Sequence, residues 1–406
     1  MTETYIIVGG GQAGGWTAKT LRQEGFAGKI HLFSEEQFPP HERPPLSKEI
    51  LLGKAEADSC FLWPPSELKE ANIEMHLGVL VTAIDINAHE IKLENGEVFK
   101  WDKLMLATGG CARILPTKGI NLNGIFTLRT IDDALAIRSR LASAQKMLVV
   151  GAGWIGLEVA AAARNSSTDV IVIDVADRVC PRALTPDMSH WLYNLHLKNG
   201  TKFRLETSIK EFVGKKFVEK AILEDGGEID CDLVVVGIGL TPNTKLAEDA
   251  GLLINNGIVV DETGKTSHPD IFAAGDNTNH PNSLLGRRIR LESWENAQNQ
   301  AIYVARSMLG SDGVYAEIPW FWSDQFDSNI QLMGLPDTFT QTAIRGIKEE
   351  NQFIEFYLED EKMVGAAAVN NPRDLRFTRR MITSKKRFDI NDLADPNVKL
   401  QKLLKS

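Results

Sequence analysis

Two copies of one glycine pattern constrain the fold of this chain more than any other feature. Each copy follows an apolar, β-branched run and opens a segment of good helix formers, as expected for strand, turn and helix in succession. In this G-x-G-x-x-G pattern the first glycine permits a tight turn, the second lets a pyrophosphate approach the backbone, and the third lets the helix pack closely on the strand. The pattern predicts two dinucleotide-binding units, at Gly9-Gly10-Gly11-Gln12-Ala13-Gly14 and Gly151-Ala152-Gly153-Trp154-Ile155-Gly156.

An acidic residue follows each pattern at the distance typical of a ribose ligand. Glu35 follows the strand after the first copy, and Asp174 follows the strand after the second. An NADP site usually replaces this acid by a small residue and places an arginine nearby for the 2′-phosphate. Arg178 is near, but Asp174 and Asp177 oppose a phosphate, so we expect the second unit to bind NAD.

Other segments extend this α/β pattern. Buried strands are expected at 104–106, 233–236 and 271–273, each followed by a turn that contains glycine. The last of these turns presents Asp276 at the carboxyl end of a strand, where ligands bind in α/β sheets. Because the second unit lies inside the chain, we expect it to interrupt the first.

A third region begins near residue 316, where the composition changes. Residues 353–358 and 363–369 predict a hairpin, and a basic run follows it. We expect an α+β domain here. The predicted domains are therefore 1–112 with 241–316, then 113–240, and finally 317–406.

The basic run has two open interpretations. Arg373, Arg376 and Arg380 would share one face of a helix by their spacing. That face is either a docking site for an acidic protein or an ordinary solvated surface.

Composition excludes several classes of function. The net charge of −9 argues against a general nucleic-acid binder, and no apolar run approaches the roughly 20 residues that span a bilayer. The four cysteines lie far apart without a C-x-x-C motif, and the eight histidines show no metal-ligand spacing, so we expect no metal site. The first strand begins almost at Met1 and leaves no room for a signal peptide, so a cytoplasmic protein is expected.

The chain resembles the NADH-dependent ferredoxin reductases of bacterial oxygenase systems, FAD proteins that serve aromatic-ring dioxygenases, with relatives that serve cytochrome-type monooxygenases. The resemblance covers essentially the whole chain. Beside both glycine turns it is carried by Arg43-Pro44-Pro45-Leu46-Ser47-Lys48, Ala107-Thr108-Gly109, Gly237-Ile238-Gly239-Leu240-Thr241-Pro242-Asn243, Phe272-Ala273-Ala274-Gly275-Asp276 and Trp320-Phe321-Trp322-Ser323-Asp324-Gln325.

The resemblance implies a glutathione-reductase-like α/β architecture: an FAD domain, an inserted NAD domain, both Rossmann-type, and a C-terminal α+β domain. It also implies two sets of binding residues. Those for FAD are Gly9, Gly11, Gln12, Ala13, Gly14, Glu35, Arg43, Lys48, Val81, Thr108, Gly109, Arg129, Asp276 and Trp294. Those for NADH are Gly151, Gly153, Trp154, Ile155, Gly156, Glu158, Asp174, Arg182, Gly237, Ile238 and Gly239.

Three of the residues receive a catalytic role from the resemblance. Lys48 would lie near the flavin ring, Glu158 where the nicotinamide carboxamide docks, and Trp320 would approach the flavin from the third domain. The prolines before Lys48 stiffen the chain, and Ser47 is predicted to cap a helix that begins near Lys48.

The resemblance implies hydride transfer from NADH to FAD, followed by single-electron transfers from the flavin to a 2Fe-2S ferredoxin. The ferredoxin is either Rieske-type or plant-type, and it passes the electrons to a terminal oxygenase. One alternative is an NADH oxidase, peroxidase or disulfide reductase of the same fold. Those enzymes place a redox cysteine near the flavin, in the region that Arg43–Lys48 occupies in this chain. That segment contains no cysteine, and Cys60 lies 12 residues beyond Lys48. A second alternative is a redox-sensing binding protein similar to apoptosis-inducing factor.

Overall fold

The computed structural model describes residues 2–336 and 338–405. Two compact units are present. The first comprises the residues through Pro44, Ala57–Cys111 and Leu240–Pro319; the second comprises Pro45–Glu56, Ala112–Gly239 and the residues from Trp320 onward. The division into three domains stays a prediction.

The strands form two parallel sheets, a five-stranded antiparallel sheet and several smaller sheets. They are β1 (Thr4–Val8), β2 (Lys29–Ser34), β3 (Ile73–Leu77), β4 (Val81–Asp85), β5 (Glu90–Leu93), β6 (Val98–Lys100), β7 (Lys103–Leu106), β8 (Gly110–Ala112), β9 (Ile125–Thr127), β10 (Lys146–Val150), β11 (Asp169–Ile173), β12 (Lys202–Arg204), β13 (Ile209–Val213), β14 (Lys220–Leu223), β15 (Glu228–Asp230), β16 (Leu233–Val236), β17 (Leu240–Pro242), β18 (Ile258–Val259), β19 (Ile271–Ala273), β20 (Thr278–Asn282), β21 (Arg287–Ile289), β22 (Trp320–Gln325), β23 (Ser328–Gly334), β24 (Gln341–Ile347), β25 (Gln352–Glu359) and β26 (Lys362–Val369).

The helices are mostly short, and those after each glycine turn are among the longest. They are α1 (Gln12–Gln23), α2 (Pro65–Glu70), α3 (Ile131–Leu141), α4 (Trp154–Asn165), α5 (Pro186–Lys198), α6 (Lys245–Asp249), α7 (Trp294–Met308), α8 (Pro372–Ser384), α9 (Ile390–Ala394) and α10 (Leu400–Leu403). Single 3₁₀ turns occur at Pro44–Ser47, Ala57–Cys60 and Lys348–Glu350. Within the described part of the chain, each helix is too short or too polar to cross a bilayer.

The first unit is built on a parallel five-stranded sheet in the order β19-β7-β1-β2-β3. Alternate residues of β1 face opposite sides because strand side chains alternate. Tyr5 and Ile7 pack with α1 and α7, whereas Ile6 and Val8 pack with the antiparallel sheet β4-β5-β6. Both faces are covered, which explains the nearly continuous apolar sequence of β1 and β7.

The second unit contains a matching parallel sheet in the order β12-β11-β10-β16-β9. Met147 and Val149 of β10 pack with α3 and α4, and Leu148 and Val150 pack with the antiparallel sheet β13-β14-β15. Two doubly covered parallel sheets confirm the predicted α/β class.

The part of the chain from Trp320 onward adds an antiparallel sheet in the order β22-β23-β26-β25-β24. Its apolar side shares one core with the second parallel sheet, through residues such as Phe353 and Tyr357 beside Leu192 of α5. The predicted hairpin is confirmed as β25 and β26, and α8 carries the predicted basic run.

One prediction from the sequence is wrong. No helix begins near Lys48: the chain forms a 3₁₀ turn over Pro44–Ser47 and continues through hydrogen-bonded turns to Lys54. Ser47 therefore caps no helix. Its buried hydroxyl instead donates to the Glu158 carboxylate.

Candidate functional site

Contacts within the protein require the first and third glycines of each G-x-G-x-x-G pattern. Gly9 has φ +116, and a Cβ there would lie 2.1 Å from the carbonyl oxygen of Ala107. A Cβ on Gly14 would lie 1.8 Å from the carbonyl oxygen of Gly9. Gly151 and Gly156 repeat these relationships in the second unit, with distances of 2.4 and 2.0 Å. No side chain fits at such distances, so these four glycines fix the turns.

Contacts of this kind do not explain the second glycine of each G-x-G-x-x-G pattern. Gly11 and Gly153 precede their helices with ordinary φ values of −82 and −83. Among the described residues, a Cβ on Gly153 would meet nothing within 4 Å, and one on Gly11 would meet only the Arg43 guanidinium, at 3.8 Å. Each position therefore borders open space beside a helix amino terminus, where a bound pyrophosphate would approach the backbone.

Gln12 supplies an independent sign of a ligand in the first unit. Its side chain is buried at the first turn of α1, yet neither its amide nitrogen nor its amide oxygen has a hydrogen-bond partner among the residues that the structure describes. Buried amides without partners are rare in native proteins. This pair of unused groups, beside the open face of Gly11, fits a dinucleotide.

The turn after β19 lies against the same helix end. Gly275, with φ +95, approaches so closely that its Cβ would be 3.2 Å from the Cβ of Ala13. Its N–H donates to Gln300 Oε1 at 2.8 Å. Asp276 follows directly, so the structure brings it to the first glycine turn.

Thr108 and Gly109 follow the neighbouring strand β7. The Thr108 hydroxyl donates to the carbonyl oxygen of Asn243 at 2.7 Å and accepts from Asn277 Nδ2 at 3.0 Å. Gly109 has φ +58 and accepts the Asn243 N–H at 2.9 Å. These contacts hold the carboxyl end of β7 beside that of β19.

An ion pair orders the polar edge of the first turn. Arg43 Nη2 donates to Glu36 Oε1 at 2.7 Å, and His41 Nε2 lies 3.5 Å from the other carboxylate oxygen. Burial would raise the pKa of Glu36, but the hydrogen bond from His41 and the charge and hydrogen bond of Arg43 outweigh it and lower that pKa to about 2. Glu35, beside this pair, is exposed after β2, as a ribose ligand would need to be.

Three predicted FAD residues lie elsewhere. Val81 is buried in the core on the β4 side of the sheet. Trp294 begins α7, and its indole N–H donates to Glu42 Oε2 at 2.7 Å. Arg129 belongs to the second unit, before α3, where its N–H donates to Asp133. The FAD roles of these residues stay predictions.

In the second unit, Asp174 shapes the glycine turn directly. Its Oδ2 accepts the Ala152 N–H at 2.6 Å, and its Oδ1 accepts the Ala176 N–H at 2.8 Å. The acid therefore holds the phosphate turn as well as standing at the predicted ribose position.

The turn Gly237-Ile238-Gly239 completes this region. A Cβ on Gly237 would lie 3.2 Å from the nitrogen of Gly156, so the two turns approach each other closely here. Arg182 is exposed, with its guanidinium 3.7 Å from the Cβ position of Gly239. Ile155 is 45% exposed at the start of α4.

The Arg178 guanidinium forms hydrogen bonds with the backbone. Its two terminal nitrogens donate to the carbonyl oxygens of Leu184 and Pro181, at 2.7 and 3.1 Å. Because Asp174 is acidic and the Arg178 guanidinium already binds backbone carbonyl oxygens, the region favours a ribose without a 2′-phosphate.

Glu158 lies at the centre of a buried polar cluster in the second unit. Its side chain is 4% exposed, and Lys48 Nζ donates to Oε2 at 2.9 Å. The Ser47 hydroxyl donates to the same oxygen, and the Ser323 hydroxyl donates to Oε1 at 2.6 Å. Three distant chain segments thus converge on one carboxylate.

The cluster continues as a chain of hydrogen bonds. Gln325 Nε2 donates to the Ser323 hydroxyl at 2.9 Å, and Gln325 Oε1 lies 2.7 Å from His196 Nε2. Burial lowers the pKa of His196 to about 4, although its hydrogen bond to Gln325 raises it in part. The imidazole is therefore neutral near pH 7, and its Nε2–H is the donor to Gln325. Sequence reasoning missed Ser323, Gln325 and His196 as members of this cluster.

Side chains alternate along β22, so that successive residues face opposite sides of the strand. Phe321, Ser323 and Gln325 face α4 and α5, with the Phe321 ring 5.0 Å from that of Trp154. Trp320 lies on the opposite face, stacked on Trp322 at 5.0 Å and donating to Gln331 Oε1 at 3.1 Å. The structure brings Lys48 and Glu158 together and places Trp320 on the other side of the strand that bears Ser323.

No disulfide joins any of the four cysteines, all of which lie in the described residues. Burial raises the pKa of Cys180, which packs against the carbonyl oxygen of Ala152, and also raises that of Cys231, to about 12. Neither thiol is suited to act as a thiolate near neutral pH.

Comparison with known proteins assigns the chain to one family. A family described as pyridine nucleotide-disulphide oxidoreductase matches residues 3–301, and one described as reductase C-terminal matches residues 320–404. The chain belongs to the pyridine nucleotide-disulphide oxidoreductase family. As in other members of this oxidoreductase family, its chemistry is carried by bound cofactors, and the protein supplies their placement.

Two curated members of the family are similar over almost their whole length. The anthranilate 1,2-dioxygenase system ferredoxin–NAD(+) reductase component of Burkholderia cepacia is 39% identical over 405 residues, which cover 99% of this chain and 99% of that protein. Putidaredoxin reductase CamA of Pseudomonas putida is 36% identical, with 99% and 97% covered.

Two solved structures extend the similarity. The covalent putidaredoxin reductase–putidaredoxin complex contains a chain with a TM-score of 0.96 and 36% identity, with 99% of this chain and 98% of that one covered. The ferredoxin reductase for the CYP199A2 system from Rhodopseudomonas palustris gives a TM-score of 0.96 and 35% identity, with 99% and 100% covered.

Proposed function

We propose that this chain is an NADH-dependent, FAD-containing ferredoxin reductase that passes electrons to a 2Fe-2S ferredoxin of an oxygenase system. The observation that carries the proposal is its full-length similarity to reductase components, including the reductase C-terminal region. A terminal ring-hydroxylating dioxygenase or cytochrome-type monooxygenase is the final acceptor, and the cytoplasm is the proposed location.

FAD binds at the first glycine turn. The open face of Gly11 accepts the pyrophosphate, and Gln12 supplies the buried amide that lacks a protein partner. Glu35 binds the adenosine ribose, while Asp276 extends from the turn that lies against Ala13. Flavin supplies the property that this reaction needs, because it takes up two electrons together and releases them singly.

NADH binds at the second glycine turn, beside Gly153. Asp174 and the committed guanidinium of Arg178 disfavour a 2′-phosphate, so NADH is preferred over NADPH. Ile155 covers the bound nucleotide, and Arg182 approaches it from the loop beside Gly239.

Lys48 and Glu158 regulate charge at the reacting end of the site. Their buried ion pair keeps a cation and an anion at a fixed separation of 2.9 Å, with the carboxylate oriented by Ser47 and Ser323. The Lys48 ammonium stabilises a neighbouring anionic product, and the Glu158 carboxylate reduces that stabilisation. Orientation of both groups before reaction is the contribution of the protein.

The basic face of α8 is the proposed ferredoxin-docking surface. Arg373, Arg376 and Arg380 are exposed together, and no ion pair among the described residues involves them. Ferredoxins are usually acidic, so opposite charges would speed and orient the encounter.

A disulfide reductase or peroxidase is disfavoured by the same site. The segment that precedes Lys48 presents Ser47 and carries no cysteine, and the thiols of Cys180 and Cys231 are buried.

The decisive experiment measures cytochrome c reduction by NADH with and without a panel of 2Fe-2S ferredoxins. We expect NADH to outperform NADPH and at least one ferredoxin to raise the rate strongly. Equal rates with no ferredoxin added would refute the electron-carrier function. Spectra of the purified protein provide the FAD content in parallel.

A further inference from the structure

Three possible metal ligands meet at the edge of the first parallel sheet. His31 lies on β2, and Glu74 and His76 lie on the edge strand β3. Residues two apart on a strand face the same side, so Glu74 and His76 project together. The register pairs His31 with Glu74 and Phe33 with His76, which brings all three side chains to one face.

The ligand atoms have the spacing of a tetrahedral metal site. His31 Nδ1 lies 3.1 Å from His76 Nε2. The two Glu74 oxygens each face one of these nitrogens at 3.5 Å, Oε2 facing His31 Nδ1 and Oε1 facing His76 Nε2. Metal–ligand bonds of about 2.0–2.1 Å at tetrahedral angles place ligand atoms roughly 3.3–3.4 Å apart. A hydrogen bond between the two rings would explain the first distance but not the convergence of the carboxylate on both.

The surroundings favour metal binding by both rings. His76 stacks on Phe33 at 4.3 Å, which fixes its ring plane. His31 is largely buried, whereas the Glu74 side chain is 63% exposed. One side of the site is therefore open to solvent.

We propose that His31, Glu74 and His76 form a zinc site that joins β2 to the edge strand β3. Two imidazoles and one carboxylate suit Zn²⁺, and water completes the tetrahedron on the exposed side. The metal would clamp the strand whose end leads into Glu35. This inference is independent of the ferredoxin reductase function.

A second histidine cluster in the described residues is less suitable. His89, His268 and Asp270 also lie close together. His268 Nδ1, however, already accepts the Asp270 N–H at 3.3 Å.

The test is a calorimetric titration of zinc into the FAD-loaded, chelator-treated protein near neutral pH. Three variants accompany it. His76→Phe keeps the ring stacked on Phe33 but removes the ligand nitrogen, Glu74→Gln alters only an exposed side chain, and His190→Phe changes an exposed histidine outside the cluster.

We expect the wild type and His190→Phe to bind a zinc equivalent that His76→Phe lacks, and Glu74→Gln to bind it at least about tenfold more weakly. Zinc should also raise the unfolding temperature of the wild type but not of His76→Phe. Equal zinc binding by the wild type and His76→Phe, or no zinc binding by the wild type, overturns the proposal. Reductase activity in the same samples, measured separately, reports on the proposed function and has no bearing on this result.

Discussion

The Ser323 hydroxyl donates a hydrogen bond to Glu158 Oε1 at 2.6 Å, although 165 residues separate the two in sequence. The bond orients a carboxylate that also pairs with Lys48. Ser323→Ala should therefore lower the rate of flavin reduction by NADH roughly tenfold, equivalent to about 1.4 kcal/mol, with FAD still bound. Stopped-flow absorbance measures this rate. Ser328→Ala, at another buried serine of the same sheet, is the control, and an equal loss in both variants would argue against a positioning role.

Glu158 has a second consequence, for stability. Glu158→Ala should weaken NADH binding or slow flavin reduction while FAD is retained. It should also destabilise the fold by about 3 kcal/mol because the buried Lys48 ammonium loses the Glu158 carboxylate with which it pairs. Adding Lys48→Met should recover much of that stability but not the activity. Urea unfolding and FAD content test both parts. Loss of FAD from Glu158→Ala would contradict its assignment to the nicotinamide side.

Two glycines of the second turn should respond differently to alanine. Gly153→Ala adds a Cβ into open space, so the protein should fold normally and bind NADH at least about tenfold more weakly. Gly156→Ala places a Cβ 2.0 Å from the Gly151 carbonyl oxygen, so the fold itself should be destabilised. Thermal unfolding together with NADH titration separates the two effects. Normal NADH affinity in Gly153→Ala would mean that no phosphate approaches there.

A buried histidine should make the protein sensitive to acid. Burial, followed by the charge of Arg288, lowers the pKa of His280 from 6.5 to about 4. The unfolded chain therefore takes up a proton first as the pH falls below 6.5, and stability is lost progressively down to about pH 4, by up to about 3 kcal/mol. His280→Phe should reduce this loss, whereas His190→Phe should not. Urea midpoints at several pH values provide the measurement, and parallel curves for the wild type and His280→Phe would contradict the prediction.

The basic face of α8 can be tested by charge reversal. Arg376→Glu combined with Arg380→Glu should raise the KM for ferredoxin about tenfold or more and flatten its salt dependence. Direct reduction of ferricyanide by NADH should be unchanged. Lys210→Glu, which reverses an exposed charge on β13, is the matched control. A KM for ferredoxin that is insensitive to salt in the wild type would remove this surface from consideration.

The sequence was informative where chemistry depends on neighbours along the chain. Both glycine turns, the strands before them and Asp174 follow from local spacing, because one strand–turn–helix unit contains the whole signal. Tertiary packing decided the rest. Ser47 has the residue type and position of a helix cap, yet its hydroxyl is used by Glu158.

Pairings between distant strands also escaped prediction. The aromatic run from Trp320 stands out in the sequence, but only the register of β22 shows that Ser323 faces Glu158 and Trp320 does not. The His31 cluster depends similarly on the parallel pairing of β2 with β3, which no spacing within one segment reveals. Strand alternation within the aromatic run was the one available signal for Ser323 and Gln325.

The convergence of three segments on Glu158 bears on how the enzyme is made. A ribosome releases Ser47 and Lys48 early, Glu158 later, and Ser323 only when about four-fifths of the chain is complete. Until then the carboxylate lacks one of its hydrogen-bond donors, and β22 is not yet available to pack against α4. A nascent chain therefore completes the hydrogen bonding of this carboxylate only after both nucleotide turns have been synthesised.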